Sequence, residues 1–502
     1  MRRCVMEAWR GVTVLVLWLS GGLGVGCGGE AQGEAEAWEE TSSAMEEAAL
    51  GGGVPQPCGR TPVLVGDLQP GLEGSRPEAL VAVGSRLFYA ADDGAAGREL
   101  WVTDGDDRTS RRVKDVRPGA AGSTPRFLTR VGGRLFFVAD DGAHGPELWR
   151  TDGTPQGTVL VADLRPGAAG SAPDNLTQVG GRLYFTADDG VHGRELWSSD
   201  GTGAGTRLTQ EFAPGPRSLF LDDLTDWNGR LALVAYGDTS VTLWVTEADS
   251  GTARVYFRGP AQTVLVALTP AGRDRLFFLV DLGLGEADLW VTWGSPLFTF
   301  PLRRFPGDYP SELTPLGGAV YFTAGAEGFF GEPGDLFFGA ELWRSDGSLL
   351  GTRRVKDVRP GPEGSLPSGL TALGGRLYFA ADDGVHGREL WSTDGTSRGT
   401  VLVQDLEPGP QGSTPTALAA TDGWLFLSAS TAVRGREAWY SDGTPGRVQA
   451  LRDIAPGGLG SNPRGFVRSG GAVFFVAAHP DQGEEPWALP FLPLSRCGRT
   501  AD

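Results

Sequence analysis

Apolar residues fall along this chain in short runs of three to six, rich in Val, Leu, Phe and Tyr, each bounded by Gly, Asp-Gly or Pro-Gly. Nowhere in the repeated part does a 3.6-residue apolar period last long enough for an ordinary helix, so the pattern predicts short strands joined by tight turns. One apolar residue keeps time. Trp101, Trp149, Trp197, Trp244, Trp290, Trp343, Trp391, Trp439 and Trp487 follow one another at spacings of 48, 48, 47, 46, 53, 48, 48 and 48. A period of this kind marks a tandem array of supersecondary units, and the chain is read as nine copies of one unit.

The clearest copy reads NLTQVGGRLYFTADDGVHGRELWSSDG from Asn175 to Gly201, and it returns around Arg376 as GGRLYFAADDGVHGRELWSTDG. Four apolar runs occur per unit, such as 176–179, 182–187 and 195–198, with a fourth like 158–164. Gly-Gly, Asp-Asp-Gly and Asp-Gly-Thr link them, residues that tolerate positive φ in hairpin turns. Four antiparallel strands in such a unit make one blade of a β-propeller; a β-solenoid would have shorter coils and more parallel strands. The expected fold is therefore all-β, a propeller of about nine four-stranded blades. Leu183, Tyr184 and Phe185 are consecutive and apolar, as a strand covered on both faces requires, and the tryptophan fits as a wedge between adjacent blades.

The ninth unit ends without the DGTxxGTxLVxDLxPG segment that closes most others, while an unattached TPVLVGDLQPG stands at 61–71, ahead of the first. The N-terminal strand is expected to complete the last blade, which removes the open sheet edges. Cys58 and Cys497 flank that closure with no cysteine between them, so a disulfide is expected there. By loop entropy such a bridge stabilises by roughly 4 to 5 kcal/mol.

Arg2, Arg3 and Arg10 precede an apolar stretch at 12–19 that is too short to span a membrane, followed by small residues; residues 1–26 read as an export signal. Gly24-Val25-Gly26-Cys27 resembles the bacterial lipobox, with Gly24 where leucine is usual, which implies lipidation at Cys27; ordinary cleavage and secretion is the alternative. Residues 27–57 carry seven glutamates and no basic residue and read as an acidic tether, 58–497 as the propeller and 498–502 as a tail. The formal charge of −18 becomes −20 without the signal, of which about −13 belongs to the repeats. An acidic body of this kind argues against nucleic acid and against adsorption on anionic lipid, leaving the lipid anchor as the only expected membrane attachment.

Acidic turns recur as Asp92-Asp93, Asp140-Asp141, Asp188-Asp189 and Asp382-Asp383, and again at Asp104, Asp152, Asp200, Asp346, Asp394 and Asp442. Calcium takes six to eight oxygens, but the spacing lacks the D-x-D-x-D-G form and Asp before Gly is what a tight turn selects. No cofactor and no metal site is expected, calcium being the one ion left open. His144, His192 and His386 share one turn position and read as turn or capping residues. The Arg-Glu pairs Arg98-Glu99, Arg194-Glu195 and Arg388-Glu389 recur round the array, which suits a structural role. No HExxH, GxSxG, phosphate loop or CxxC is present, so no catalytic residue is assigned. Unit six carries an insertion, EGFFGEPGDLFFG, whose Phe329, Phe330, Phe337 and Phe338 form the candidate binding loop. Units four and five hold Trp227, Tyr236 and Trp293 where other copies do not, and complete an atypical sector.

RELWVTDG, PELWRTDGT, RELWSSDGT, AELWRSDGS, RELWSTDGT and REAWYSDGT resemble the bacterial ELWxxDGT repeat family over nearly all of 61–490. The resemblance implies a secreted or lipid-anchored repeat protein and supplies no catalytic residue. LWVTEADSGT, LWVTWGS and EEPWALP depart from the motif, so blade geometry is expected to be least regular there. The expected function is a monomeric, non-catalytic cell-surface scaffold binding a surface protein or glycan through variable loops. The alternatives are a polysaccharide-acting hydrolase or lyase at the channel mouth, which requires polar residues converging at one entrance without equivalents in other blades, and a purely structural envelope protein.

Overall fold

The computed structural model describes residues 55–497 apart from 106–108, 247–252, 284, 307–308, 327–337, 494 and 496. Nine antiparallel sheets follow one another along the chain. The third is typical: Asp174–Val179, Arg182–Asp188, Arg194–Ser199 and Arg207–Gln210 pair in chain order, and are called here strands A to D. The A strands of successive blades adjoin, the first also touching the ninth, so they form a closed ring around a central channel. The fold is a nine-bladed β-propeller. The one helical element among the described residues is a single 3-10 turn, Pro296–Phe298.

The B and C strands are buried between neighbouring sheets, as their unbroken apolar runs require; Leu183, Phe185 and Ala187 are all fully buried. Each such side chain contributes about 1.5–3 kcal/mol when a large one leaves water. The repeated tryptophan stands between blades: Trp149 packs on Phe88, Leu100, Val102 and Val113 of the preceding blade and on Leu135 and Phe137 of its own.

Closure is made by the N-terminal segment. Val63 and Leu64 pair with Ala488 and Trp487 of the ninth C strand, Gly483–Pro493. Val65 is fully buried among Leu87, Tyr89 and Trp101 of the first blade and Phe474 and Ala488 of the last. Pro55–Pro57 add a further short pairing with Phe491–Pro493, and Cys58 and Cys497 form a disulfide across 439 residues.

Consecutive blades are tied by a buried carboxylate. Glu99, on strand C of blade one, accepts from the backbone N–H of Arg117 at 3.2 Å and of Ser123 at 2.9 Å, and from the Ser123 hydroxyl at 2.6 Å, all in the segment leading to blade two. Glu147, Glu341, Glu389, Glu437 and Glu485 hold Ser171, Ser365, Ser413, Ser461 and Ser75 in the same way, while Glu195 holds the N–H groups of Phe212 and Ala213. Beside each serine a glycine crosses the B–C turn: a Cβ on Gly412 would lie 2.4 Å from Arg388 N, so only glycine fits.

Blades four and five lack this clasp, with Thr242 and Asp288 in place of the glutamate. They are nevertheless the most extended sheets, their D strands running for 8 residues (Ala253–Pro260) and 7 residues (Thr299–Phe305), against 2 at Arg111–Arg112. Motif loss therefore does not make these blades irregular. Thr242 offers no carboxylate and that of Asp288 is taken by Arg304 of strand D at 2.8 Å, so neither turns the chain after two to four residues and strand D continues pairing.

Candidate functional site: the acidic channel mouth

Each A strand pairs with strand B on one side only, which leaves its other edge to the channel. All nine bend at the same point through a β-bulge whose first inserted residue is left-handed: Ala79, Phe127, Asn175, Asp223, Ala267, Glu312 and Ala417, with Gly369 and Gly465, at φ between 51° and 67°. Seven of the nine are not glycine, and left-handed backbone costs such a residue roughly 1–2 kcal/mol. The bulge curves the strand at the channel rim. Two residues on, threonines tie the ring together: Thr177 Oγ1 donates to Leu224 O of the next blade at 3.1 Å, as Thr129, Thr314 and Thr371 do to Leu176, Leu370 and Leu418.

At the rim the blades differ. The position before the bulge is Glu78, Arg126, Asp174, Asp222, Val266, Ser311, Ser368, Thr416 and Arg464 in blades one to nine. Blade four alone places two carboxylates in succession, Asp222 and Asp223, beside Asp174 of blade three. Arg464 is held by Glu484 at 2.8 Å and Arg98 stands 3.6 Å from Glu78, whereas Asp174, Asp222 and Asp223 have no cationic partner among the described residues. Burial pushes the Asp223 carboxyl up, the Leu268 N–H opposes that at 2.8 Å, and the Asp222 charge adds to the rise. Phe220, 63% exposed, extends the same strand and meets Tyr236 with ring centroids 5.6 Å apart. The Tyr236 hydroxyl donates to Leu265 O at 2.7 Å, and burial pushes its pKa to about 12. Phe127 is 42% exposed on blade two. This grouping of carboxylates is not legible in the sequence because the rim positions lie on separate strands far apart in the chain and only the ring brings them together.

The recurring polar residues serve the frame. Asp141 Oδ1 accepts the N–H of Ala143 and His144, and its Oδ2 meets His144 Nδ1 at 2.8 Å; His192 and His386 repeat this with Asp189 and Asp383. The hydrogen bond and charge of the aspartate raise the pKa of each imidazole. Asp140 instead binds Arg117 at 2.6 Å, and the Asp152, Asp200, Asp346 and Asp394 turns accept from a Thr or Ser hydroxyl two residues on at 2.7 Å. Among the described residues no group of three or more His, Cys, Asp or Glu could hold a metal ion. Arg98 of the Arg-Glu pair donates to Arg76 O while Glu99 clasps the next blade, so the pair is not an acid-base couple. Cys27, Phe329, Phe330 and Phe337 lie outside the described residues, as does the side chain of Phe338.

No known family profile and no curated protein matches the chain. Solved structures similar in fold include a puromycin hydrolase mutant (14% identity, 80% of this chain and 59% of that one, TM-score 0.41). A prolyl endopeptidase matches at 10% identity over 89% of this chain and 60% of that one, with a TM-score of 0.42. The β-propeller domain of the Trilobed protease from Pyrococcus furiosus matches at 13% identity, 66% and 98% coverage, and a TM-score of 0.35. The chain spans about three fifths of the length of the first two. At these identities the likeness concerns the propeller fold. The expectation of a non-catalytic scaffold is set aside, the similar structures being named as hydrolases and peptidases, while the likeness itself shows the fold alone. Among the described residues the blades differ at the channel rim, where the carboxylates Asp174, Asp222 and Asp223 fall on two adjoining blades.

Proposed function

We propose that the ring admits extended, positively charged peptide segments at its channel mouth and serves as the substrate-handling part of a peptide-processing enzyme. The acidic sector carries this reading: Asp174, Asp222 and Asp223 stand on adjoining blades without cationic partners among the described residues, with Phe127 exposed on the preceding blade and Phe220 on the strand of Asp222. Carboxylates of one sign in a concave mouth concentrate cationic ligands, and the unpaired edges of the A strands offer backbone donors and acceptors to an extended peptide. Peptide as the substrate class agrees with the names of the similar structures, but the argument rests on the mouth. Membership of the ELWxxDGT repeat family and lipid anchoring through Cys27 belong to the same proposal; the Cys58–Cys497 bridge fits an oxidising compartment.

Fluorescence anisotropy with two labelled peptides of equal length, one rich in lysine and one in glutamate, tests it. The lysine peptide is expected to bind, more weakly as salt rises, and at least tenfold more weakly to the Asp174→Asn/Asp222→Asn variant. Equal binding of both peptides, or no effect of the substitutions, would overturn the reading.

A further inference from the structure

Most strongly exposed hydrophobics of the described ring are scattered singly, as on any soluble surface: Leu72, Val191, Val385, Val433 and Leu459 sit one to a turn or connection. Blades five and six break that rule. Trp293 (43% exposed), Leu297 (89%), Phe298 (60%), Phe300 (36%), Leu349 (66%) and Leu350 (94%) gather on their neighbouring C–D turns. The sequence builds the patch as one surface. Trp293 ends strand C opposite Arg275, the 3-10 turn Pro296–Phe298 follows at once, and the Trp293 ring lies against Gly347, 3.1 Å from where a Cβ would stand, in the same turn as Leu349 and Leu350. Two aliphatic tips thus project beside aromatic rings.

The N-terminal segment joins the ring on the same face as this patch. Trp424, at the A–B turn of blade eight, donates its indole N–H to Pro55 O at 3.2 Å, and Pro55 pairs with Pro493 beyond the A–B turn of blade nine. A–B and C–D turns lie on one face of the ring, so Pro55 and the patch share that face, while the acidic mouth, at the start of the A strands, opens on the other. From Cys27 to Pro55 the chain has 28 steps, on the order of 30 Å even as a random coil.

We infer that the tips of blades five and six insert into the interfacial region of a lipid bilayer, holding the ring flat with its acidic mouth turned away from the membrane. Trp and Phe favour the headgroup level and Leu the acyl boundary, and sharply projecting tips suit a deformable bilayer better than the flat face of a second copy. The acidic charge of the repeats makes this an apolar contact, independent of anionic lipid. The inference stands on the patch and, for its occupant, on the Cys27 anchor of the proposed function; it does not depend on peptide binding at the mouth.

Flotation of the chain from residue 27 onward, without the apolar stretch at 12–19 and carrying Cys27→Ser so that it cannot be lipidated there, with phosphatidylcholine vesicles tests it. The chain is expected to float with the vesicles, and the added substitutions Leu297→Asp and Leu350→Asp, both at exposed positions that leave the core intact, to lower the bound fraction at least tenfold while circular dichroism and Tm stay unchanged. Absence of flotation, or flotation that these substitutions leave unaltered, would overturn the inference. So would sedimentation showing a dimer that they dissolve, since the patch would then belong to a second copy.

Discussion

The buried glutamates decide how the ring responds to pH. Burial raises the carboxyl pKa of Glu99, Glu147, Glu195, Glu341, Glu389, Glu437 and Glu485, in the last case to about 7, against the opposing pull of the donors that each accepts from. A group whose folded pKa is raised contributes stability that is present in full below its unfolded value and is lost as pH rises through the folded one. The three turn histidines, raised by their aspartates, act in the same direction. Asp93, Asp141, Asp152, Asp189 and Asp383 are lowered and act oppositely: their contribution is lost as pH falls below their ordinary value of 3.8. Thermal unfolding should therefore show Tm rising as pH falls from about 8 to about 5, then dropping below about 4. Glu485→Gln, neutral at every pH, should flatten the part of that slope near pH 7; a Tm that rises steadily from pH 5 to 8 would count against it. The motif told only half of this. Arg-Glu before the tryptophan is legible as structural because it recurs, but its partner serine lies 24 residues on, and nothing local in sequence joins the two.

At the scale of the element, the same clasp sets strand length. Where Glu is present, strand D stops after two to four residues and the chain turns along a glycine crossing; where Thr242 or Asp288 replaces it, strand D reaches 8 or 7 residues. Gly412, buried, at φ +61° and with backbone where a side chain would go, is the tightest point of this arrangement in blade seven. Gly412→Ala should cost at least about 2 kcal/mol, from left-handed strain and from the clash with Arg388, read as a lower midpoint in denaturant; an unchanged midpoint would mean that the crossing relaxes freely. Strand count, turns and the inward tryptophans were readable because period and turn chemistry are local. The bulges of the A strands were not, since Ala79, Phe127 and Glu312 are residues that no rule places in left-handed backbone. Blades four and five were misread for a related reason: the ELWxxDGT residues serve the joints between blades, so their loss says little about the sheet.

At the scale of the whole molecule, nine repeats close because the N-terminal strand supplies what the ninth unit lacks, and both halves of that junction were visible in sequence together with the two cysteines that seal it. Function was far less legible. Repetition draws attention to shared residues, which build the frame, and the eye then goes to insertions, whereas the informative variation sits at one rim position on nine different strands and only the ring brings it together. That position gives the propeller a polarity, with carboxylates at one end of the channel and, at the other, the chain's entry and the apolar tips of blades five and six. The most direct test of a peptide-admitting mouth is hydrogen exchange of the full chain with and without a lysine-rich peptide. Slowed exchange should be confined to the A strands Asp174–Val179 and Phe220–Trp227 and their immediate neighbours in the ring; protection on the opposite face, or none anywhere, would contradict it.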